Sequence, residues 1–407
     1  MNVGYACQCL SNAIPSFRTC TRRFATEENL ISIIDHNLKV LDQILDYNHQ
    51  HDIRIFRLSS DLIPFGSSPV NRIEWRTMFQ SQFQRLGEKA RRYGIRLTMH
   101  PGQYTILNTP DEEVLYRSIA DLRYHCDILN LMGMDQTCKL ILHIGGIYGD
   151  KTAAMQRFQL SFYQLDEDIR QRLIIENDDR YYTLEDVLYL AEKLNIPVVF
   201  DNLHHEVLPS FPDQTLLETL LLVKQTWNQQ DGRMKIHYSQ QEPGKRKGAH
   251  ASHLHGAVFL DFFKSMNTLD LDIMLEIKSK NLAAFKAIDL MHPECFDINN
   301  MWQRYRYLIL RHSLAVFTRL EQDRSKLNAE MFYALIDQAL EMKEETAMIC
   351  FRLIYQEWKD RLSEARKIRL MRAMDRFQAG KLSEQGLRNA FLMAAYEIGY
   401  EENYLFL

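Results

Sequence analysis

The sequence predicts an α/β protein of the TIM (β/α)8 barrel class with a C-terminal helical extension. Three observations carry this expectation. Short apolar, β-branched runs recur along residues 1–280, segments of helical period fill the gaps between them, and ionisable side chains close most of the runs. Eight βα units in succession favour a closed barrel over an open sheet, and such a barrel keeps its chemistry at the C-terminal ends of its strands.

In order, the runs are NVGYA near residue 2, IRIFRL near 53, IRLTMH near 95, KLILHI near 139, RLIIEN near 172, PVVFDN near 197, MKIHYS near 234 and DIMLEI near 272. Each spacing leaves room for one crossover helix. Between the first two runs, EENLISIIDHNLKVLDQILDY places apolar residues at i, i+3, i+4 and i+7, the stripe of a helix laid on a sheet. Between the fifth and sixth, TLEDVLYLAEKLNI opens on a threonine followed by acidic residues, an N-cap signal. Past about residue 290 the strand patterns stop. ALIDQALEMKEETAMICFRLIYQEWKDRL is amphipathic and LRNAFLMAAYEIGY is again helical, so MHPECFDINN (291–300) is read as the boundary between a barrel of residues 1–290 and an extension of 291–407.

The chain has 407 residues, 46% of them hydrophobic and 25% charged, which suits a folded globular protein with a sizeable core. No apolar run approaches the roughly 18 residues of a membrane span, and MNVGYACQCL lacks the basic-then-apolar pattern of a secretory leader. A cytoplasmic monomer with no membrane partner is the expectation. Seven cysteines, at 7, 9, 20, 126, 138, 295 and 350, form no paired C-x-x-C module, so reduced thiols are expected. Net charge is −4. Residues 301–407 hold 17 Lys and Arg against 15 Asp and Glu, leaving 32 against 38 for the rest, so the extension is about +2 and the body about −6. A nucleic-acid partner would therefore be met by local basic patches, with bound cations neutralising a carboxylate-rich cleft.

His100, His143, Glu176, Asp201, His237 and Glu276 each stand at the C-terminal end of a run, with His204 three residues past Asp201. A carboxylate closing a run such as LIIE or VVFD is costly without a partner. Imidazoles and carboxylates without thiolates suit divalent Zn, Mn or Fe and disfavour a structural zinc site. Several ligands on one rim suggest more than one ion, the arrangement that assists phosphodiester hydrolysis. Lys235 lies two residues before His237 and so faces the same interior. As an ammonium it must turn away, pair with a carboxylate, or become a carbamate and join the ligands. Lys245, Arg246 and Lys247 form a compact basic loop suited to phosphate contact. His36, His49, His51, His125, His292 and His312 fall in or beside helical patterns and read as surface or packing residues. His253 and His255 read as the start of a helix, and His205 as a neighbour of His204 that faces away.

The motifs GYACQ, FRLSSDLIPFGS, MHPGQY, LHIGGIYGDK, IENDDR, FDNLHH, KIHYSQQEPGKRKGAHA and MLEIKSK together resemble the ultraviolet-damage endonucleases, metal-dependent repair enzymes with a TIM barrel similar to that of the endonuclease IV group. The resemblance covers residues 1–280. It implies metal binding by His100, His143, Glu176, Asp201, His204, His237, His250 and Glu276, with Glu176 bridging two ions and Lys235 at a carboxylated-lysine position. It also implies two or three divalent ions, Mn2+ first, with Zn2+, Mg2+ or Co2+ as alternatives. Gln103 and Tyr104 match a pair that probes the duplex, and Tyr5 an aromatic at the damage pocket. The implied reaction is nicking of UV-damaged double-stranded DNA immediately 5′ to a photoproduct, leaving 3′-hydroxyl and 5′-phosphate ends. Two positions depart from the pattern: Ser68 stands where a histidine is expected, and Cys9 where an asparagine is expected. The rival readings are an endonuclease IV-like enzyme for abasic sites and a metal-dependent sugar isomerase or epimerase, which would need neither Gln103-Tyr104 nor the basic loop.

Overall fold

A Cβ on Gly4 would fall 2.0 Å from the Ile55 carbonyl oxygen, so only a bare backbone lets β1 (Asn2–Ala6) lie against β2 (Ile55–Leu58). From there the sheet continues through β3 (Arg96–Met99), β4 (Leu140–His143), β5 (Leu173–Glu176), β6 (Val198–Asp201), β7 (Lys235–Tyr238) and β8 (Asp272–Leu275). Every neighbouring pair is parallel, and β8 returns to β1 to close the barrel. The structure, a computed structural model, describes residues 1–266, 268–342, 344, 346–399 and 404–406.

Eight crossover helices follow the strands in turn: α1 (Glu27–Gln50), α2 (Gln80–Arg92), α3 (Glu112–Leu131), α4 (Lys151–Phe162), α5 (Leu184–Leu194), α6 (Leu216–Lys224), α7 (Gly256–Met266) and α8 (Asn281–Met291). Their starts follow local chemistry. Thr26, Asp111 and Asp150 accept backbone N–H groups at the first turns of α1, α3 and α4, while Thr183 and Thr215 form reciprocal capping boxes with Asp186 and Glu218. The apolar stripe of α1 is buried as its period requires, with Ile33, Ile34, Leu38, Leu41 and Leu45 each at most 5% exposed. Full burial of each such side chain stabilises the fold by about 1.5–3 kcal/mol.

Inside the barrel, strand parity sorts residues by height. Near the N-terminal end Asp272 accepts hydrogen bonds from Asn2 Nδ2 and Arg96 Nη1, each at 3.0 Å, and Lys139 donates to Asp231 at 2.6 Å. The middle holds two apolar clusters, Ile141, Ile174 and Val199 on one side and Ala6, Ile55 and Met274 on the other, besides the buried pair Lys235 and Thr98. Ionisable residues occupy the C-terminal mouth.

The chain divides into two units: Met1–Cys9, Ser16–Leu254 and Phe262–Phe285 form one, and Leu10–Pro15, His255–Asp261 and Lys286–Leu407 the other. The second holds α9 (Ile298–His312), α10 (Leu314–Asp323), α11 (Ala329–Glu341), α12 (Ala347–Trp358), α13 (Glu364–Gln378) and α14 (Glu384–Glu397). Its core is aromatic: Tyr305 meets Tyr404 edge-on at 4.5 Å, Trp302 packs on Phe317 at 5.2 Å and Phe351 on Phe391 at 4.9 Å. Lys286 and Asp337 form a buried ion pair there, and Asp337 also accepts the Gly256 N–H at 2.8 Å. The amphipathic stretch beginning at Ala334 holds two helices, α11 and α12, because Met342 leaves the helical region for extended backbone. Lys343, Glu345 and Tyr400, which fall within the segments read as helical, lie outside the described residues.

Candidate metal centre at the barrel mouth

Two local rules bring the ligand-type residues together. The first is register: His143 pairs with Glu176 across β4 and β5, and Asp201 with His237 across β6 and β7, so these side chains share one level. The second is a cap. Asp201 ends β6 and its Oδ1 accepts the His204 N–H at 2.8 Å, starting a short helix (Asn202–Val207) whose first turn returns His204 to the rim.

Glu176 lies at the centre, 1% exposed. Its Oε2 is 3.0 Å from His100 Nε2 and 3.8 Å from His143 Nε2, and its Oε1 is 2.8 Å from His237 Nδ1 and 3.7 Å from His204 Nδ1. Glu276 Oε1 is 3.3 Å from His237 Nδ1, and its Oε2 is 3.7 Å from His250 Nδ1. Among the described residues, three sets bring their donor atoms within 4.8 Å of one another: His100, Glu176 and His237; Glu176, Asp201 and His204; Asp201, His237 and Glu276. His143 and His250 stand at the margin, their rings 5.1 Å from His100 and 6.4 Å from His204.

Burial opposes ionisation of Glu176, yet the imidazoles of His237 and His143 outweigh it and hold the carboxyl well below its usual range. Glu276 is likewise lowered against its own burial, chiefly by the Arg57 guanidinium. Asp201 goes the other way, pushed up to about 7 by burial. Burial lowers His100, His143, His237 and His250, whereas His204 rises to about 9 because Asp201 and Glu176 outweigh its burial.

The donor set fits divalent cations. Buried Asp201 Oδ2, His237 Nε2 and His143 Nδ1 have no hydrogen-bond partner, a costly state for polar atoms that a bound cation would relieve. His100 and His204 each donate Nδ1–H to a backbone carbonyl, Pro101 at 3.1 Å and Asn177 at 2.9 Å. A carbonyl only accepts, so Nδ1 carries a proton in both rings and Nε2 is the nitrogen through which each would bind a cation.

The other sequence-predicted residues fall in three places. Gln103 and Tyr104 are exposed on the turn after β3, Tyr104 at 69%, and Thr105 pins that turn by donating to Asp121 at 2.6 Å. Lys245, Arg246 and Lys247 are exposed at the tip of a hairpin that pairs Gln241 with His250, and Arg246 reaches Asp179 at 3.7 Å. Gly248 closes that hairpin at φ +78, where an added Cβ would meet Asp179 at 2.7 Å. Lys235 is fully buried below the cluster and donates to Thr98 Oγ1 at 3.3 Å; burial, and then the charge of Arg57, hold its amine well below the usual range. Of the three options open to it, turning away is the one adopted here.

Tyr5 requires a correction. It is 0% exposed, lies edge-on to Phe56 at 5.2 Å and donates to Asn48 of α1 at 2.8 Å. Strand parity turns it outward between sheet and helix, so it does not face the mouth as a damage-pocket residue would. Cys9 shares a hydrogen bond with its hydroxyl. Ser68 turns into its own loop, its Oγ accepting the Val70 N–H at 3.3 Å. His125 is a satisfied core residue that donates Nδ1–H to Asp121 O at 2.7 Å, and His205 packs on Phe200 at 5.3 Å.

Two residues escaped the sequence reading. Arg57 projects inward from β2 and forms an ion pair with Glu276. Its signal was the arginine inside IRIFRL, at interior parity. Asn177 accepts the Asp201 N–H at 2.9 Å and donates to the Asp201 carbonyl at 3.1 Å, holding the cap that carries His204. It sits next to Glu176 in IENDDR.

Comparison with known proteins agrees with this geometry. The profile of the family described as UV-endonuclease UvdE matches residues 1–305. A UV DNA damage endonuclease of Clostridium perfringens is 37% identical over 373 residues, covering 89% of each chain, so the likeness must run into the helical region past residue 290. The UV-damage endonuclease of Schizosaccharomyces pombe is 32% identical over 312 residues, covering 72% of this chain and 51% of that one. The crystal structure of SacUVDE superposes with a TM-score of 0.68 at 36% identity, covering 72% of this chain and 98% of that one. This barrel with its imidazole and carboxylate mouth, matched over most of its length by these enzymes, belongs to the UV-damage endonuclease family.

Proposed function

We propose that this chain nicks duplex DNA immediately 5′ to UV photoproducts, cyclobutane dimers and 6-4 products, by divalent-metal-assisted hydrolysis that leaves 3′-hydroxyl and 5′-phosphate ends. The observation that carries the proposal is the convergence of Glu176, Asp201, Glu276, His100, His204 and His237 at one mouth, beside an exposed Gln103-Tyr104 turn. His143 and His250 would complete the ligand set at its margins, with Glu176 as the central carboxylate, to hold two or three divalent ions, Mn2+ first. Bound there, such ions polarise a phosphate and lower the pKa of water at neutral pH.

The chain's own residues do the rest. Glu276 is oriented by Arg57, His100 and His204 by backbone carbonyls, and Asp201 by Asn177. Gln103 and Tyr104 test base stacking, and a distorted dinucleotide costs less to extrude than a sound one, which supplies selectivity. Lys245, Arg246 and Lys247 bear on phosphates. Lys235 would join this set only as a carbamate, formed from its buried amine and carbon dioxide with loss of a proton; in the structure it donates to Thr98 instead. The protein works as a cytoplasmic monomer; no described helix is long and apolar enough to cross a membrane. Residues 1–290 are the nuclease and 291–407 its helical extension.

The deciding assay compares supercoiled plasmid with and without ultraviolet irradiation in the presence of Mn2+. Nicking of irradiated plasmid alone, lost in Glu176→Ala, is expected. Equal nicking of both plasmids, or cleavage confined to abasic sites, would overturn the assignment.

A further inference from the structure

Among the described residues, seven non-glycine residues have φ in the left-handed region: Cys7, Asp52, Phe65, Tyr148, Asn195, Phe211 and Lys280. Asp52 and Asn195, of residue types that tolerate it, lie on loops entering strands. The other five all lie on loops leaving the C-terminal ends of strands. That conformation costs about 1–3 kcal/mol each for such residues, and it persists where surrounding structure imposes it, commonly at functional sites. Tyr148 is the one of the five with a large polar aromatic side chain, and its ring is 45% exposed.

The rim around Tyr148 is rigid. Asn108, after β3, donates to the Gly146 carbonyl at 2.7 Å and to the Tyr182 hydroxyl at 3.1 Å, and that hydroxyl donates to Gly146 O at 3.1 Å. Three successive loops are thereby tied together. Arg157 lies 5.5 Å over the Tyr148 ring and is itself anchored to the Asn108 carbonyl at 2.8 Å. On the next loop, Asp178 Oδ1 accepts the backbone N–H groups of Arg180, Tyr181 and Tyr182 at 2.7, 2.6 and 3.1 Å. This clamp fixes the backbone beneath Tyr181, whose ring is 44% exposed. Beside it, Asp179 spaces two exposed guanidiniums, 3.7 Å from Arg180 Nε and 3.7 Å from Arg246 Nη1.

The geometry points to a second DNA contact on this part of the rim, resting on the reading of the chain as a DNA endonuclease. Tyr148 and Tyr181 stack on bases or sugars flanking the nicked site, and Arg180 and Arg246 contact the adjoining phosphates. Two aromatic faces held by pre-formed loops offer stacking without an ordering cost at binding, and the paired guanidiniums supply the positive charge a phosphate backbone requires. A small sugar substrate would use neither.

Binding is read by fluorescence anisotropy of a labelled duplex, with and without a thymine dimer, in Ca2+ so that no cleavage is required. Tyr181→Ala and Tyr148→Asn are compared with Tyr189→Ala, an equally exposed tyrosine on the outer helix α5. Asparagine at 148 keeps the left-handed backbone while removing the ring. Each rim variant is expected to weaken binding about tenfold, as loss of one base–aromatic stack does. Tyr181→Phe should restore it, and Arg180→Gln should reduce the salt dependence by about one phosphate contact. Tyr189→Ala should bind as the unaltered protein does. Rim variants within twofold of the unaltered protein, an equal loss in Tyr189→Ala, or no duplex binding at all would overturn the inference. If the rim variants weaken sound and damaged duplex alike while irradiated plasmid is not preferentially nicked, the contact stands and the photoproduct assignment falls.

Discussion

Glu176 keeps its negative charge where burial alone would remove it, because imidazoles approach both of its oxygens. Glu276 relies instead on one guanidinium, Arg57. This makes Arg57 the residue most worth testing singly. Replacing it with methionine leaves Glu276 as a buried carboxylate beside Asp201 and Glu176 and imidazoles whose own pKa burial has lowered. Metal-free Arg57→Met should lose about 3 kcal/mol of stability by urea titration, the lower end for breaking a buried pair. Arg57→Met/Glu276→Gln should recover most of that loss, and a double variant as unstable as the single one would contradict the pairing. At this scale the sequence showed which side chains close the strands but was silent about pairing. Closing positions of runs show through parity, whereas the partner of Glu276 comes from a strand more than two hundred residues away in sequence. Tyr5 was misplaced for a related reason: a motif match carries residue identity, but the pleat decides which face the ring occupies.

Among the elements, caps translate local sequence into site geometry. Asp201 ends a strand, starts a helix and thereby places His204, all within four residues. The Thr183 cap seen in TLEDV is likewise present, because capping is settled within one turn of chain. Helix α8 offers a pH test at a residue of no metal-ligand set. Asp289 accepts a hydrogen bond from Tyr333, yet burial pushes its carboxyl up to about 6. A folded-state value above the unfolded one, about 4, means that the native protein binds the proton more tightly. Stability therefore falls as pH rises from about 4 to about 6, and the full cost is present above that. Asp289→Asn should stabilise the protein at pH 7 by about 1–2 kcal/mol, after discounting for partial exposure, with the gain vanishing near pH 4. Equal gains at both pH values would show that ionisation of Asp289 is not the cause.

For the molecule as a whole, eight strands set one polar layer at the mouth, and that layer carries unpartnered buried atoms. A cation that satisfies them binds the folded chain and not the unfolded one, so it must stabilise the fold. Excess Mn2+ should raise the thermal midpoint of chelator-treated protein by several degrees, with about 2.7 kcal/mol gained at a hundred times the dissociation constant. The rise should be absent in Glu176→Ala. An identical rise in that variant would place the metal elsewhere.

The sequence by itself determined the strand count, the barrel class and the side chains at the strand ends. Short apolar runs, helical-period gaps and end-of-run ionisable side chains are local, and each leaves its mark within a few residues. Tertiary structure alone decided that Arg57 and Asn177 hold the neighbours of Glu176, that Lys235 turns toward Thr98, and that strained loops gather at one end of the barrel. Those facts depend on register between strands and on loops meeting across the rim, where residues distant in sequence come within a few ångströms and burial sets their charge.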